Sequence, residues 1–578
     1  MPIPLTPGRL ELRRHVEGRL IGLRVNRYSW WVHARELADY FLPRRYKFLI
    51  TPNMMSRGSP INQHMLDSTG TLAARNLSSG MMSGVSSPTR QWFKLKIGHI
   101  DSTQTSPISL WLAECERLMM LVMQESNFYQ AMAVVYFDLV IFGTACILIY
   151  EDPTDVIRCF TPCFGEFYVD NDGMFRPLIF YREFTLTIDQ LVDCFGFDNV
   201  SPAMQRQYET GQKAGAQLTR ELVVAHAIEP NNDAYKYEFP DHFKYRECYW
   251  EWGGSASPQG GSSFAPGFLS LRGFNEAPHI IVRWDLVSND AYGRSPAMDA
   301  LGDVKQLQQE VRRKAQAIDK HVNPPMVADI QLKNQPASLL PGGVTYVSGM
   351  MTHGNAGFSP AYGTWKPDVA AMTQDLAEIR ERIKRIFFND LFQVASQYET
   401  RSNVTAVEWD MRKSEALVML GPVLERIQDE LLSPAIDRIF AIMSRRGVLP
   451  PAPPEIQGTN INIEYVSMLS LAQAAASTTG IERVLQLAGS LAGVDPAVMD
   501  NIDIDFTLDK YSSLMNNDPR MIRSSQALQQ IRQQRAQQQQ QAQQAEMAEK
   551  MAAGAKTLSE TSVGGGQNAL QQMIGARP

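Results

Sequence analysis

Apolar side chains recur at intervals of three and four residues along two long stretches of this chain. In the first they fall at Leu301, Val304, Leu307, Val311, Ala315, Ile318 and Val322, and in the second at Val369, Met372, Leu376, Ile379, Ile383 and Ile386. That period predicts two amphipathic helices. Ser295-Pro296 supplies an N-cap and a first-turn proline for the first, which Pro324-Pro325 stops, giving a rod of about 27 residues and about 40 Å. The second carries Asp368, Asp375 and Glu378 early and Arg380, Arg382, Lys384 and Arg385 late, the order that complements the helix dipole. Residues 323–366 lie between them, rich in Gly and Pro, with strand patterns at Met326 to Leu332 and Val344 to Val347. The predicted unit is therefore helix, small β module, helix.

Residues 1–293 alternate helical and strand patterns and read as one α+β domain. Phe164 to Leu186 reads as a hairpin around Asp170-Asn171-Asp172-Gly173, whose turn residues are expected to supply positive φ. The same string fails as a calcium loop, because with Gly173 as its glycine the first ligand would be Tyr168. Phe243 to Trp252 and His279 to Trp284 are further strand candidates, separated by a Gly/Ser-rich surface loop at Gly253 to Ser263. Ala131 to Tyr150 has the length of a membrane span. Asp138 near its centre would cost about 2.5–3.5 kcal/mol in lipid, and Gly143-Thr144 offers a break, so the prediction is a buried helix ending near Phe142 and an inner strand from Ala145.

Gln393 to Asn403 is polar. Thr405-x-x-Glu408 then forms a capping box opening a third helical stretch, 405–448, with kinks expected at Gly421-Pro422 and Ser433-Pro434 and an end at Gly447. Further helical segments are expected within 449–515, at Leu469 to Ser477 and Ile481 to Leu491. Between Gln526 and Gln544, 12 of 19 residues are Gln, which predicts a polar helix at 516–552 that forms on assembly, followed by a loose tail at 553–578.

The chain has 578 residues, 44% of them hydrophobic and 20% charged, so most of it folds, into several units. Its 55 Lys and Arg against 61 Asp and Glu give a formal charge of −6, which argues against tight DNA binding by phosphate neutralisation. The six cysteines (Cys115, Cys146, Cys159, Cys163, Cys194 and Cys248), with no leading signal peptide in view, read as reduced thiols, mostly buried. No phosphate loop, zinc helix, dinucleotide fingerprint or nucleophile elbow is present, and the nine histidines have no ligand or triad spacing. Catalytic, cofactor and metal residues are therefore assigned to none.

Several strings together resemble the portal, or head-to-tail connector, proteins of T7-like short-tailed bacteriophages. They are Arg27-Tyr28-x-x-Trp31, Tyr40-x-Leu42-Pro43, LDSTGTLAARNLSSGMMSGVSSPTRQWFKL from Leu66 to Leu95, Phe142-Gly143-Thr144, Arg283-Trp284, Tyr292-Gly293-Arg294-Ser295-Pro296, Thr405-Ala406-x-Glu408 and Leu420-Gly421-Pro422. The resemblance implies a predominantly helical α+β, portal-type fold assembled as a dodecameric ring at one capsid vertex of the virion, put together in the host cytoplasm, with a channel for packaging and ejecting double-stranded DNA. It implies a wing at 1–293, stem helices at 294–322 and 367–392, a clip at 323–366, a tunnel loop at 393–404, a long wing helix at 405–448 and a crown at 449–515, with 516–552 as a possible barrel helix. The implied partners are the terminase large subunit, a tail adaptor, and capsid, scaffolding and internal core or ejection proteins, with no membrane.

On that reading Gln393, Ser396, Gln397, Tyr398, Arg401 and Asn403 are channel candidates, and Leu301, Val304, Val311, Ile318, Leu376, Ile379, Ile383 and Ile386 pack the stem. Lys305, Arg312, Arg313, Lys320, Arg380, Arg382, Lys384 and Arg385 either line the lumen or pair with acidic groups of adjacent subunits. Two other readings stay open: another virion assembly protein, such as a tail adaptor or internal scaffold, and an ejection protein inserted through Ala131 to Tyr150.

Overall fold

Thr6 starts the first helix as its N-cap, accepting a hydrogen bond from the Arg9 amide ahead of a first-turn Pro7. A computed structural model of the chain describes residues 3, 6–42, 65–97, 107–214, 221–252, 267–322, 326–328, 358–360, 368–389, 421–454, 461–465, 480–491, 502–514 and 525–560. In chain order the elements are α1 (Pro7–Asn26), α2 (Tyr28–Phe41), α3 (Thr69–Val85), β1 (Phe93–Ile97), α4 (Pro107–Glu125) and α5 (Phe128–Phe142). Strands β2 (Thr144–Asp152), β3 (Val156–Phe160), β4 (Phe167–Asp170) and β5 (Ile179–Thr187) come next, then α6 (Ile188–Phe195) and α7 (Pro202–Ala214). β6 (Glu221–Pro230), β7 (Tyr245–Glu251), β8 (Ser270–Phe274) and β9 (His279–Arg283) lead into α8 (Pro296–Val322). Short β10 (Met326–Ala328) and β11 (Phe358–Pro360) precede α9 (Val369–Ile386). The chain divides into two units, the first holding Met1–Lys94, Arg117–Leu449 and Tyr465–Leu469.

The first unit is built on an antiparallel five-stranded sheet, β4-β5-β6-β7-β8, and a three-stranded sheet, β3-β2-β9. Strand alternation sorts the larger sheet into two faces. Tyr168, Tyr181, Ala227 and Cys248 stand in register on one face, where Leu12, Val16, Leu20 and Leu23 of α1 cover them. Val224 and Tyr249 on the other face meet Ile188 and Leu191 of α6. The stretch at Ala131 to Tyr150 divides as its sequence predicts: α5 ends at Phe142, Gly143 takes φ +72 as a left-handed cap, and β2 follows, buried through Ile149. No helix among the described residues is long and apolar enough to cross a membrane.

The hairpin at Phe164 to Leu186 forms, with a correction at its turn. The positive φ falls on Phe175 (+61) and not on Gly173, because the Asp172 carboxylate accepts from the amides of Met174 and Arg176 and dictates the loop. A helical stretch at Gly421–Arg445 contains a π turn, Gln428–Leu432, immediately before Pro434. A proline cannot donate and crowds the preceding turn, so the wider turn absorbs the misfit at the expected kink, and Gly447 at φ +66 ends the stretch.

The second unit contains Leu95–Glu116, Pro450–Glu464 and Ser470–Pro578, so residues 95–116 leave the single N-terminal domain that the sequence suggested. The reason is the pairing of β1 with β12 (Ile461–Tyr465), supported by the Leu95 amide on Glu116 Oε1 at 2.7 Å. Helices at 480–491 and Ile504–Leu514 follow. The Gln-rich segment is one helix, Ser525–Glu560, reaching eight residues into the stretch expected to be loose, because Met551 to Glu560 holds good helix formers around a lone Gly554. Gly253 to Ser263, Val344 to Val347 and Leu469 to Ser477 lie outside the described residues.

Candidate functional site

α8 and α9 lie side by side and antiparallel. Asp303 near the start of α8 faces Arg382 near the end of α9 at 3.5 Å, and Lys314 Nζ donates to Thr373 Oγ1 at 2.8 Å farther along. Leu301, Val304 and Leu307 of α8 and Leu376, Ile379 and Ile383 of α9 are buried within the single chain. Val311 and Ile386 are half-buried, and Ile318 is 40% exposed. The apolar stripe is thus covered by its own chain at the near end and open toward Val322. β10 and β11, paired antiparallel from Met326↔Pro360 to Ala328↔Phe358, join the far ends, so strand pairing places β11 opposite Met326–Ala328.

Two clamps hold the near end. In one, Ser295 caps α8, its Oγ accepting from the Met298 amide and donating to the Ile141 carbonyl at 2.7 Å. The Gly293 amide donates to Thr144 Oγ1 at 2.8 Å, and the Trp284 amide to the Gly143 carbonyl at 2.9 Å. The second clamp centres on Asp67. Its Oδ1 accepts from the Thr69 amide (2.8 Å) and hydroxyl (2.5 Å), starting α3, and its Oδ2 accepts from Arg380 Nη2 at 2.7 Å. Buried Gln308 of α8 accepts from the amides of Leu66 and Asp67 and returns a bond to the Asp67 carbonyl. Burial pushes the Asp67 carboxyl up, but the Thr69 and Arg380 bonds outweigh it and hold it below its usual range.

Arg27 locks the α1–α2 junction. It is buried, donates to the carbonyls of Phe164 and Gly165, and sits 4.7 Å from the Phe164 ring and 5.0 Å from Tyr168, with Tyr292 at 5.9 Å. Burial pulls its pKa below the ordinary arginine value, against the nearby tyrosines and Glu183. Arg283 in turn grips Glu430 of the π turn, with Nη2 2.6 Å from Oε1. The strings that carry the family resemblance therefore meet in space: Arg27 with Tyr292, Gly143-Thr144 with Gly293, Leu66-Asp67 with α8 and α9.

Of the basic candidates, four are paired inside the chain: Lys305 with Glu36, Arg380 with Asp67, Arg382 with Asp303 and Lys384 with Glu381. Glu36, Asp67 and Asp303 are near in space and remote in sequence, so helical periodicity could not point to them, whereas Glu381 lies one helical turn before Lys384. Arg312, Arg313, Lys320 and Arg385 are exposed and make no ion pair among the described residues. Gln393, Ser396, Gln397, Tyr398, Arg401 and Asn403 lie outside those residues. Gln308 and Asp67 were missed by sequence reasoning; the one signal was a glutamine four residues after Val304, on the apolar stripe.

No group of three or more His, Cys, Asp or Glu among the described residues could hold a metal ion. His226 is fully buried, with Nε2 2.9 Å from Glu247 Oε1 and Nδ1 accepting from Arg182 Nε at 3.0 Å. Burial lowers its pKa to about 4 against the pull of Glu247, so it stays neutral, and Tyr150 and Tyr249 close the network on Glu247. The six cysteines are free, four of them buried and Cys194 exposed.

This is a mixed helical and sheet protein in which two clamps brace one pair of long helices. The chain belongs to the bacteriophage head to tail connecting protein family, whose model matches residues 13–522. It is 39% identical over 546 residues, 94% of each chain, to the "Portal protein" of Salmonella phage epsilon15. It is 38% identical over 501 residues to the "Probable portal protein" of Bordetella phage BPP-1, covering 86% of this chain and 87% of that one. A chain from the virion of a native gene transfer agent particle aligns over 66% of this chain and 92% of its own at 10% identity, but with a TM-score of 0.24 it supports no argument.

Proposed function

We infer that this chain is a phage portal protein: copies form a ring at one capsid vertex, and double-stranded DNA is packaged and ejected through its channel. The observation that carries the reading is the 39% identity to a portal protein across 94% of both chains, within a family match from residue 13 to 522. The ring docks capsid, terminase and tail proteins. Within it we assign the first unit's sheets and α1–α7 to the wing, α8 and α9 to the stem, β10–β11 with the residues around them to the clip, and Gln393 to Asn403 to the tunnel loop. The helices after Leu449 form the crown, with Ser525–Glu560 extending it, and the stoichiometry is twelve. The antiparallel α8–α9 pair supports the stem assignment, since it carries the chain out to β10–β11 and back.

The working chemistry is that of a conduit. A chain with a formal charge of −6 gives a ring of the same sign as DNA, so the wall does not retain the duplex as a basic lining would. Exposed Arg312, Arg313, Lys320 and Arg385 are the stem cations left for DNA or a neighbouring copy. Electron microscopy of the purified protein is the test. Rings with a hole wide enough for duplex DNA are expected, and a stable monomer at micromolar concentration overturns the reading.

A further inference from the structure

The charges of α8 and α9 fall into two sets. One is engaged inside the chain, where Asp303, Lys305, Arg380, Arg382 and Lys384 all have ion-pair partners. The other is free: Asp299, Arg312, Arg313 and Lys320 on α8, and Asp368, Asp375, Glu378 and Arg385 on α9 and its N-cap, are all exposed and form no ion pair among the described residues. The Asp303 to Arg382 pair at 3.5 Å and the Lys314 to Thr373 bond at 2.8 Å fix which residues of the two antiparallel helices stand level. Asp299 is then level with Arg385, Arg312 with Asp375 and Lys320 with Asp368, each to within about two residues, or about 3 Å along the axis. At every height the helices carry opposite signs, and the signs exchange between the inner level and the two outer ones. The helix dipole favours this order along each helix, and antiparallel pairing brings the opposites level.

Level charges of opposite sign on neighbouring helices could pair across the hairpin, and these do not, because of rotation. Leu301, Val304 and Leu307 mark the covered side of α8, and at about 100° per residue Asp299, Arg313 and Lys320 lie about 140–180° round from it, with Arg312 on the flank. Leu376, Ile379 and Ile383 mark the covered side of α9, and Glu378 and Arg385 lie about 130–150° away, with Asp375 on the flank. The sign pattern says what meets these faces. Duplex DNA would satisfy Arg312, Arg313 and Lys320 but be repelled by Asp299, Asp368, Asp375 and Glu378. Contact of α8 with α8 between copies standing parallel would set acid on acid and base on base. Contact of α8 with the α9 of an adjacent parallel copy matches opposite charges at all three heights, and it is a head-to-tail contact of the kind that closes into rings.

We propose that α8 of one copy lies against α9 of the next, joined at three heights: Asp299 with Arg385, Arg312 and Arg313 with Asp375 and Glu378, and Lys320 with Asp368. The inference rests on the ring-forming reading above and assigns the exposed stem cations to a second copy of the chain, not to DNA.

The test uses the full chain and two double variants, Arg312→Glu with Arg313→Glu and Asp375→Lys with Glu378→Lys. Circular dichroism should show wild-type helix content and melting temperature in both. By light scattering and electron microscopy, each variant alone should need at least tenfold more protein than wild type to form rings. Mixed in equal amounts, the two should assemble near the wild-type concentration, because every altered face then meets a complementary face on the neighbouring copy. If either variant does not fold, Arg312→Gln with Arg313→Gln carries the test, and should assemble several-fold more weakly and with less dependence on salt than wild type. Variants that each form rings at the wild-type concentration overturn the proposal, whether or not they lose DNA binding, and so does a mixture of folded variants that stays unassembled. A wild type that remains monomeric sinks the ring reading itself, a result distinguishable from rings that ignore these substitutions.

Discussion

Gly143 and Gly293 press their backbones together, so that a β-carbon on either would lie 2.4 Å from the other's carbonyl oxygen. They are 150 positions apart in sequence and sit where the helix and strand of the first unit meet the start of α8. The contact explains why each string around them contains a glycine, and Gly143 adds a second requirement with its φ of +72.

Gly293→Ala should therefore lower stability by about 1–3 kcal/mol, and Gly143→Ala by at least as much, since it meets both the clash and the unfavourable φ. Thermal unfolding of the purified variants measures this. Gly302, whose added β-carbon meets nothing within 4 Å, is the control, and Gly302→Ala should not destabilise.

Asp67→Ala removes the start of α3 and the partner of Arg380 together, and should cost about 1–2 kcal/mol. The folded carboxyl titrates below its usual range, so its contribution is fully present at neutral pH and falls away as pH drops below about 4. Unfolding in denaturant at pH 7 and pH 3 should show a smaller difference between variant and wild type at the lower pH.

The buried His226 sets a second, higher window. The unfolded imidazole takes its proton near pH 6.5 and the folded one only near 4, because burial opposes the charge. Between those values the unfolded state binds more protons, so stability should decline as pH falls from about 6.5 to 4, by up to about 3 kcal/mol. In His226→Gln the melting temperature should depend less on pH across that window.

Ile383 and Ile318 stand on neighbouring helices with opposite fates. Ile383 is 0% exposed, so Ile383→Ala should destabilise the lone subunit by about 2–5 kcal/mol. Ile318 is 40% exposed, and Ile318→Ser should stay within about 0.5 kcal/mol of wild type in the isolated subunit while weakening assembly. Chemical denaturation of subunits beside light scattering of the assembled species separates the two effects.

What the sequence disclosed follows from which signals are local. Ser295-Pro296 and Pro324-Pro325 bound α8 because caps and prolines act within a turn, and Gly143 divides helix from strand for the same reason. Periodicity showed which face of α8 is apolar but not what covers it, and the structure answers differently at Val304 and at Ile318. Gln308, Asp67 and the partners of Lys305 and Arg382 are contacts between remote segments, and no local pattern encodes them. The positive φ at Phe175 depends on a carboxylate three residues earlier, an influence that turn propensities do not contain.

The antiparallel pairing of α8 with α9 has a mechanical consequence. A tug applied at β10–β11 travels down two rods at once and enters the body of the first unit at two separate joints, Ser295 with Gly293 and Asp67 with Gln308 and Arg380. Force divided in this way is shared between the hydrogen bonds of the two joints. A load at that tip would therefore strain both mounts together.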